Sequence, residues 1–125
     1  ATRVGMVPDA GASVILPHLV GFRRATEIFL SNRVIEASEA EQIGLITKQV
    51  PDADLQAEAL RQAKFYAKGA PLALSATKRL LWNALGVEAA LPEEARTQSV
   101  LSATADSREG LAAVIEKRKP VFAGH

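Results

Sequence analysis

The chain has 125 residues, of which 48% are hydrophobic and 23% are charged, and its net charge at pH 7 is +1. This length and composition are typical of one globular domain. Because the net charge is close to zero and no long basic block occurs, we expect neither nucleic acid nor an anionic membrane surface as a partner. The chain contains no cysteine, which excludes disulfides and thiolate metal sites within it.

The remaining composition disfavours two further classes of site. The two histidines, His18 and His125, lie far apart in the sequence, so we predict neither a histidine-based metal site nor a catalytic triad. No apolar run approaches the ~20 residues that span a bilayer. The first residues carry no signal-peptide pattern. We therefore expect a cytoplasmic or organelle-matrix protein without a histidine-based metal site.

The first third of the chain reads as a strand followed by two helices. Residues 4–7 are apolar and stop at Pro8, as the end of a buried strand would. Residues 12–19 form a short apolar pattern that favours a helix, in which Pro17 predicts a kink or an early break. Residues 22–31 place their apolar side chains on one face and are typical of an amphipathic helix.

A third helix, which is short, and a second strand are predicted next. Ser38 and Glu41 have the spacing of a capping box, with Ser38 as N-cap, and Gly44 marks the end of the helix. Residues 45–50 alternate apolar and polar side chains, which predicts a strand. Pro51 follows, and from there the chain is rich in alanine and helical in pattern.

Four helical patterns fill the remainder. Residues 54–68 and 72–85 are separated by Gly69 and Pro71, and Pro92 followed by two glutamates predicts the start of a third long helix. An acid-first pattern precedes residues 111–117. The fold class predicted from the elements is mainly α with short strands, with a boundary near Pro51 that divides the chain into residues 1–50 and 51–125.

Asp9 is the most conspicuous polar residue of the first part. It follows Pro8 and precedes Ala10 and Gly11, so its side chain projects from a tightly prescribed turn at a helix start. Such loops on rigid scaffolds are common places for catalytic groups. An aspartate at this position is also a frequent helix cap. The residues alone leave both interpretations open.

Several blocks of the sequence resemble the enoyl-CoA hydratase/isomerase (crotonase) superfamily. They run from one end of the chain to the other in the family's order, and family members are roughly twice as long, so the resemblance is to the C-terminal half. The resemblance implies the end of the ββα spiral core in residues 1–50 and a helical trimerisation region in residues 51–125. The matching positions are Gly5-Met6-Val7-Pro8-Asp9-Ala10-Gly11-Ala12-Ser13, residues 16–21 and 24–25, Glu27, Leu30, and residues 38–40, 44–46, 108–113 and 116–122.

The resemblance also implies chemistry on acyl-CoA thioesters through an enolate. In the family, two backbone amides form an oxyanion hole for the thioester carbonyl, and both come from the part of the fold that precedes Gly5. We therefore expect the chain by itself to be inactive. No cofactor is implied, because CoA is part of the substrate.

Which reaction is implied depends on the carboxylates. Hydratases of the family use two glutamates, and the position of the second is Ala1 here, which leaves only a carboxylate from the preceding half for water addition. The position of Asp9 resembles the catalytic acid of the double-bond isomerases, where one carboxylate shuttles a proton between two carbons. The 4-chlorobenzoyl-CoA dehalogenases use an aspartate at the same position as a nucleophile. Enoyl-CoA isomerase is the prediction, with enoyl-CoA hydratase and an inactive helical self-association module as alternatives.

Lys117 and the helices carry the two remaining predictions. Lys117 matches a family lysine that contacts the phosphate of the CoA adenosine, although a solvated Glu-Lys-Arg-Lys surface is an equal alternative. Val114 stands where relatives often place a phenylalanine against the adenine. Alanine-rich helices bury little area each, so association with further subunits would stabilise them. The resemblance likewise implies a homo-oligomer, a trimer or a dimer of trimers in the full-length protein.

Overall fold

The computed structural model describes all 125 residues, which form seven α-helices and two short 3-10 helices. The 3-10 helices are Thr2–Val4 and Asp52–Asp54. None of the α-helices is both long and apolar enough to cross a lipid bilayer. The α-helices are α1 (Ala12–Val20), α2 (Phe22–Ser31), α3 (Ala37–Gln42), α4 (Leu55–Tyr66), α5 (Pro71–Leu85), α6 (Val87–Ser102) and α7 (Ala105–Ile115).

The chain divides into two compact units. The first contains Ala1–Val34 and Gly86–His125, and the second contains Ile35–Leu85. Both the first and the last helices therefore belong to the first unit, while α3, α4 and α5 form the second. The functional division at Pro51 that the resemblance implies stays a prediction.

The first unit places α1 against α2 and α6, and α7 against the N-terminal 3-10 helix. Its buried apolar side chains include Val20, Ala25, Val87 and Ala113. Gly110 permits the approach of α7, because a Cβ atom at that position would lie 2.6 Å from the Cα of Val4. This close packing fixes the N-terminal segment on which the turn at Asp9 depends.

The second unit has almost no interior of its own. Ala40 is its one buried side chain, and neither α4 nor α5 buries any residue. Glu58 on α4 receives hydrogen bonds from Lys48 at 3.0 Å and from Arg61 at 2.8 and 2.7 Å. These contacts join the segment after α3 to α4 through surface charges, which stabilise a protein only weakly.

Both predicted strands are wrong, and the structure is all-helical. Residues 2–4 form a 3-10 helix, and the Met6 amide turns back to the Ala1 carbonyl at 3.2 Å. In the second segment, the amides of Leu45 and Ile46 both donate to the Ala40 carbonyl. A strand needs a neighbouring strand to accept its backbone hydrogen bonds. Within this chain these segments satisfy their amides locally instead.

The helix predicted at residues 22–31 has the predicted bounds. Three other predictions, one helix break and two helix starts, are wrong. Pro17 causes no early break, since α1 continues to Val20. Pro92 does not open α6, which starts at Val87 and carries the proline in its interior. A proline inside a helix is costly, but Val87 and Glu94 on either side of Pro92 are buried and anchor α6. The last helix begins at Ala105, earlier than predicted, because the Thr104 side chain caps it.

The predicted capping box at Ser38 is also wrong. The N-cap of α3 is Glu36, and no side chain caps it, so Ser38 lies within the first turn. The predicted end at Gly44 is confirmed: Gly44 has φ +77°, and the amides of Gly44 and Leu45 donate to Glu41 and Ala40. This is a Schellman motif, whose left-handed residue is usually glycine.

Candidate active site

The turn that carries Asp9 connects the N-terminal 3-10 helix to α1. Ala10 and Gly11 both have left-handed backbone conformations, with φ +55° and +84°. At Gly11 a Cβ atom would lie 2.6 Å from Cγ1 of Val87, the first residue of α6. The turn therefore depends on glycine for its backbone angle and for its contact with α6.

A carboxylate from α6 caps α1. Glu94 accepts a hydrogen bond from the Gly11 amide at 2.7 Å and from the Ser13 amide at 3.1 Å, and a further short one from the Ser13 hydroxyl. Gly11 is the N-cap residue of α1 and has no side chain to cap with. Glu94 thus supplies, from more than 80 residues away, the acceptor that a local N-cap side chain would ordinarily provide.

The other amides of this helix start are satisfied by the backbone. The Ala12 amide donates to the Asp9 carbonyl at 3.0 Å, and the two amides after Ser13 donate to the Gly11 carbonyl at 3.1 and 2.9 Å. Together with Glu94, every amide from Gly11 to Ile15 has an acceptor. The helix start leaves no free donor for the Asp9 side chain.

Asp9 therefore does not cap α1, and that interpretation of the sequence is wrong. Its side chain is exposed, and no hydrogen bond within the chain holds its carboxylate. Asp9 lines a cleft of about 470 Å³ with Glu94, Gln98 and small side chains of α6. The carboxylate is available to a group that enters this cleft.

Glu94 stays ionised although it is only 7% exposed. Burial raises the pKa of the carboxyl, but the hydrogen bonds from Ser13 and from the Gly11 and Ser13 amides outweigh burial, so the pKa lies below its usual value. A buried carboxylate normally needs such partners, because desolvation without them is expensive. Here the positive end of the α1 dipole supplies part of that compensation.

Sequence reasoning missed Glu94 and assigned it to a first helical turn. One signal could have pointed to a distant cap: α1 starts at a glycine with no serine, threonine, aspartate or asparagine at the N-cap. A helix start of this kind in a packed unit needs an acceptor from elsewhere. The sequence does not indicate which of the many glutamates provides it.

Lys117 lies at the other end of the first unit, just after α7. It has φ +54°, a left-handed conformation that is uncommon for residues other than glycine. Its amide donates to the Val114 carbonyl, and the next amide, of Arg118, donates to the Ala113 carbonyl, which makes Lys117 the left-handed residue of a Schellman motif. The conformation directs the chain away from the helix axis at this residue.

Lys117 borders a cleft of about 420 Å³ that is rich in cations. Arg3, Lys117, Arg118 and Lys119 line it together with Val114. Arg118 is neutralised by Glu109 and Glu116, at 2.5 and 2.6 Å. Asp9 and Lys117 line different clefts, and no group of three or more histidine or acidic side chains is placed to hold a metal ion.

The segment after α7 is held against that helix by two of its acids. Glu109 binds the Arg118 guanidinium and accepts the Val121 amide at 2.9 Å. Arg118 first, and the Val121 amide second, lower the pKa of Glu109 to about 2. Asp106 accepts the amides of Ala123 and Gly124 at 2.6 and 2.8 Å. These contacts hold residues 118–124 against α7, next to the basic cleft.

Comparisons with known proteins identify the family of this chain. The sequence model of the family described as enoyl-CoA hydratase/isomerase matches residues 1–125. A probable enoyl-CoA hydratase of Rhodobacter capsulatus is 41% identical over 125 residues, which are 98% of this chain and 49% of that protein. The 2,3-dehydroadipyl-CoA hydratase of Escherichia coli is 37% identical over 97% of this chain and 48% of its own length.

A solved structure gives the same result for the fold. The enoyl-CoA hydratase/isomerase of Pseudoalteromonas atlantica superposes with a TM-score of 0.89 at 38% identity. The superposition covers 98% of this chain and 50% of that protein's chain. The chain thus spans about half the length of the relatives it matches. With a family match along its whole length, this chain belongs to the enoyl-CoA hydratase/isomerase family.

Proposed function

We propose that the full-length protein acts on an enoyl-CoA thioester and adds water to its double bond. The observation that carries this proposal is the identity of 37–41% along nearly the whole chain with proteins named as hydratases. The relatives thus favour hydration over isomerisation, which the carboxylate pattern of the sequence alone favours. The reaction needs no redox cofactor or metal, because the thioester itself stabilises the charge that develops at carbon.

Asp9 is the group of this chain that we assign to proton transfer. Its carboxylate is exposed in a cleft and is not used to cap α1. A carboxylate within reach of carbon can give or remove a proton in the transition state, and such general acid–base catalysis typically contributes about 10²–10⁴-fold. In hydration, Asp9 would transfer the proton while a carboxylate from the preceding half activates water.

Isomerisation remains the second candidate, and one observation favours it. Residue 1 is alanine at the position of the second hydratase glutamate, and Asp9 is the free carboxylate at the turn. One carboxylate suffices to move a double bond, since it removes a proton from one carbon and returns it to another. The two candidates differ in whether an oxygen atom from water enters the product.

A single set of assays separates the candidates. The full-length protein is given a 2-enoyl-CoA and, separately, a 3-enoyl-CoA in water labelled with ¹⁸O. Labelled 3-hydroxyacyl-CoA from the first substrate supports hydration, whereas unlabelled 2-enoyl-CoA from the second supports isomerisation. In either case Asp9→Asn should lower kcat by about 10²-fold or more, while Asp54→Asn, an exposed aspartate of the second unit, should not. Full turnover by Asp9→Asn would remove Asp9 from the mechanism.

For Lys117 we propose a contact with a phosphate of CoA. Lys117 stands beside Arg3 and Lys119 in the basic cleft, and its ammonium can act as a flexible point charge for phosphate. A left-handed conformation in a residue other than glycine is often retained for function. Val114 lines the same cleft, so an aliphatic side chain would meet the adenine where relatives carry an aromatic one.

We also propose that the full-length protein is a homo-oligomer, a trimer or a dimer of trimers. The chain exposes 9398 Å², whereas two separate globular proteins of half its mass would expose about 7,800 Å² together. The apolar side chains of α5 contribute to this excess, with Leu72 86%, Leu80 67% and Leu81 66% exposed. Large exposed apolar surfaces of this kind usually mark an interface.

Sedimentation of the full-length protein tests this proposal. Leu81→Glu should shift the sedimentation coefficient toward that of a monomer, because it places a charge among the apolar side chains of α5. Gln56→Glu is the matched control, since it adds the same charge at an exposed polar side chain of α4. A monomeric wild-type protein at high concentration would contradict the proposal.

A further inference from the structure

Three residues of α6 hold the turn that carries Asp9. Val87 contacts Gly11, Glu94 binds the Gly11 and Ser13 amides, and Gln98 accepts the Val7 amide at 3.1 Å through its side-chain oxygen. Their spacing along the helix, seven and four residues, places all three on one face. Asp9 thus lies between two backbone positions that side chains of the same helix face fix in place.

The Gly11 amide is the group for which Asp9 and Glu94 would compete. An aspartate readily hydrogen-bonds the backbone amide two residues further along the chain, which is an Asx-turn. For Asp9 that amide belongs to Gly11, and Glu94 already occupies it at 2.7 Å. Glu94 is buried, and both of its carboxylate oxygens accept hydrogen bonds at the helix start. Because the single N–H of Gly11 is already donated to Glu94, the local hydrogen bond is closed to Asp9.

We infer that Glu94 is a positioning residue for Asp9: by occupying the amides at the start of α1, it keeps the Asp9 carboxylate unbonded and directed for reaction. The inference rests on the proposed role of Asp9 in proton transfer. Glu94 is not assigned a contact with substrate. When Glu94 is removed, Asp9 turns back to the Gly11 amide, and its carboxylate is both displaced and stabilised as a hydrogen-bonded anion.

A double-mutant cycle in the full-length protein tests the inference. Glu94→Ala should lower kcat by about 10- to 100-fold, as a displacement of about 1 Å can, and should leave KM within about twofold. Glu94→Gln keeps one acceptor oxygen of the same reach and should recover part of the loss. Glu88→Ala removes an exposed glutamate of the same helix and should leave both constants unchanged.

The cycle with Asp9→Asn separates positioning from a general structural effect. If Glu94 acts through Asp9, Glu94→Ala should cost less than about twofold in kcat once Asp9 is already replaced, since groups that act as a unit are not additive. An equal loss in both backgrounds would overturn the inference. Amide exchange supplies a readout independent of turnover: in Glu94→Ala the Ser13 amide should exchange faster while amides of α2 keep their protection.

The two proposals fail in different ways. Full turnover by Asp9→Asn would refute the role of Asp9 itself. An inactive Asp9→Asn beside a Glu94→Ala variant with wild-type kcat would refute only the positioning role of Glu94. If Glu94→Ala does not fold, Glu94→Gln and Gln98→Ala take its place in the cycle, and wild-type kcat in both would again overturn the inference.

Discussion

The contact between Gly11 and α6 gives a prediction whose magnitude follows from the structure. In Gly11→Ala the new methyl group would lie 2.6 Å from Cγ1 of Val87, closer than carbon atoms pack, while the backbone stays at φ +84°. An L-residue in the left-handed region costs about 1–2 kcal/mol. Overpacking against a buried side chain costs about 1–3 kcal/mol more. We expect Gly11→Ala to lower the free energy of unfolding by about 2–5 kcal/mol in total.

Two further variants separate the backbone cost from the clash. Gly86 has φ +69° and no atom within 4 Å of its Cβ position, so Gly86→Ala should cost only the about 1–2 kcal/mol of backbone strain. Val87→Ala removes the clashing methyl group, so Gly11→Ala combined with Val87→Ala should be less destabilised than the two single changes summed, by about 1–3 kcal/mol.

Urea unfolding of the full-length protein, with the protein concentration held constant, measures these differences in the free energy of unfolding. Gly11→Ala should also lose turnover, because the turn that carries Asp9 must shift to relieve the contact. If Gly11→Ala and Gly86→Ala differ by less than about 0.5 kcal/mol, Val87 moves aside without cost and the argument that α6 fixes this turn is refuted.

Two further predictions concern the segment after α7. The pKa of Glu109 is lowered to about 2 from its usual 4.5. The stability that its bonds to Arg118 and Val121 provide is therefore complete above about pH 4.5 and is lost as the pH falls toward 2. The Val121 amide should exchange faster as the pH falls over that range, and Glu109→Gln should remove this pH dependence. Lys117→Gly should raise the free energy of unfolding by about 1 kcal/mol, because glycine adopts the left-handed conformation without strain, yet weaken CoA binding severalfold in calorimetry. Unchanged CoA affinity would assign Lys117 to the solvated surface, and Lys68→Gly, at an exposed lysine of the second unit, controls for the loss of one cation.

Much of the helical fold follows from local signals that the sequence carries. The helix at residues 22–31 has a clear apolar face, and Gly44 ends α3 because only a residue tolerant of φ +77° fits there. Pro71 starts α5 as the first helical residue, where its missing amide costs nothing. The turn at Asp9 is also readable, since proline, alanine and glycine around it prescribe the backbone. These features depend on residues within a few positions of each other.

The role of Asp9 within its turn was decided elsewhere in the chain. The residues near Asp9 predict its carboxylate as the cap of α1. The tertiary structure shows instead that Glu94 of α6 already accepts the hydrogen bonds of the Gly11 and Ser13 amides. The same holds for the predicted strands, which failed because pairing partners are a property of the tertiary structure. It holds for Pro92 too. Val87 is buried in the first unit, so α6 starts at Val87, before its proline, and not at Pro92.

The amino-acid sequence by itself therefore determined the helices, the rigid turn and the family to which the chain belongs. Tertiary structure alone decided which acid caps α1 and which acid stays free. The physical reason is that a backbone amide donates its hydrogen bond to whichever carboxylate the packing brings to it. Here the packing of α6 against α1 brings Glu94, more than 80 residues distant in sequence, and leaves Asp9 unbonded at the edge of the cleft.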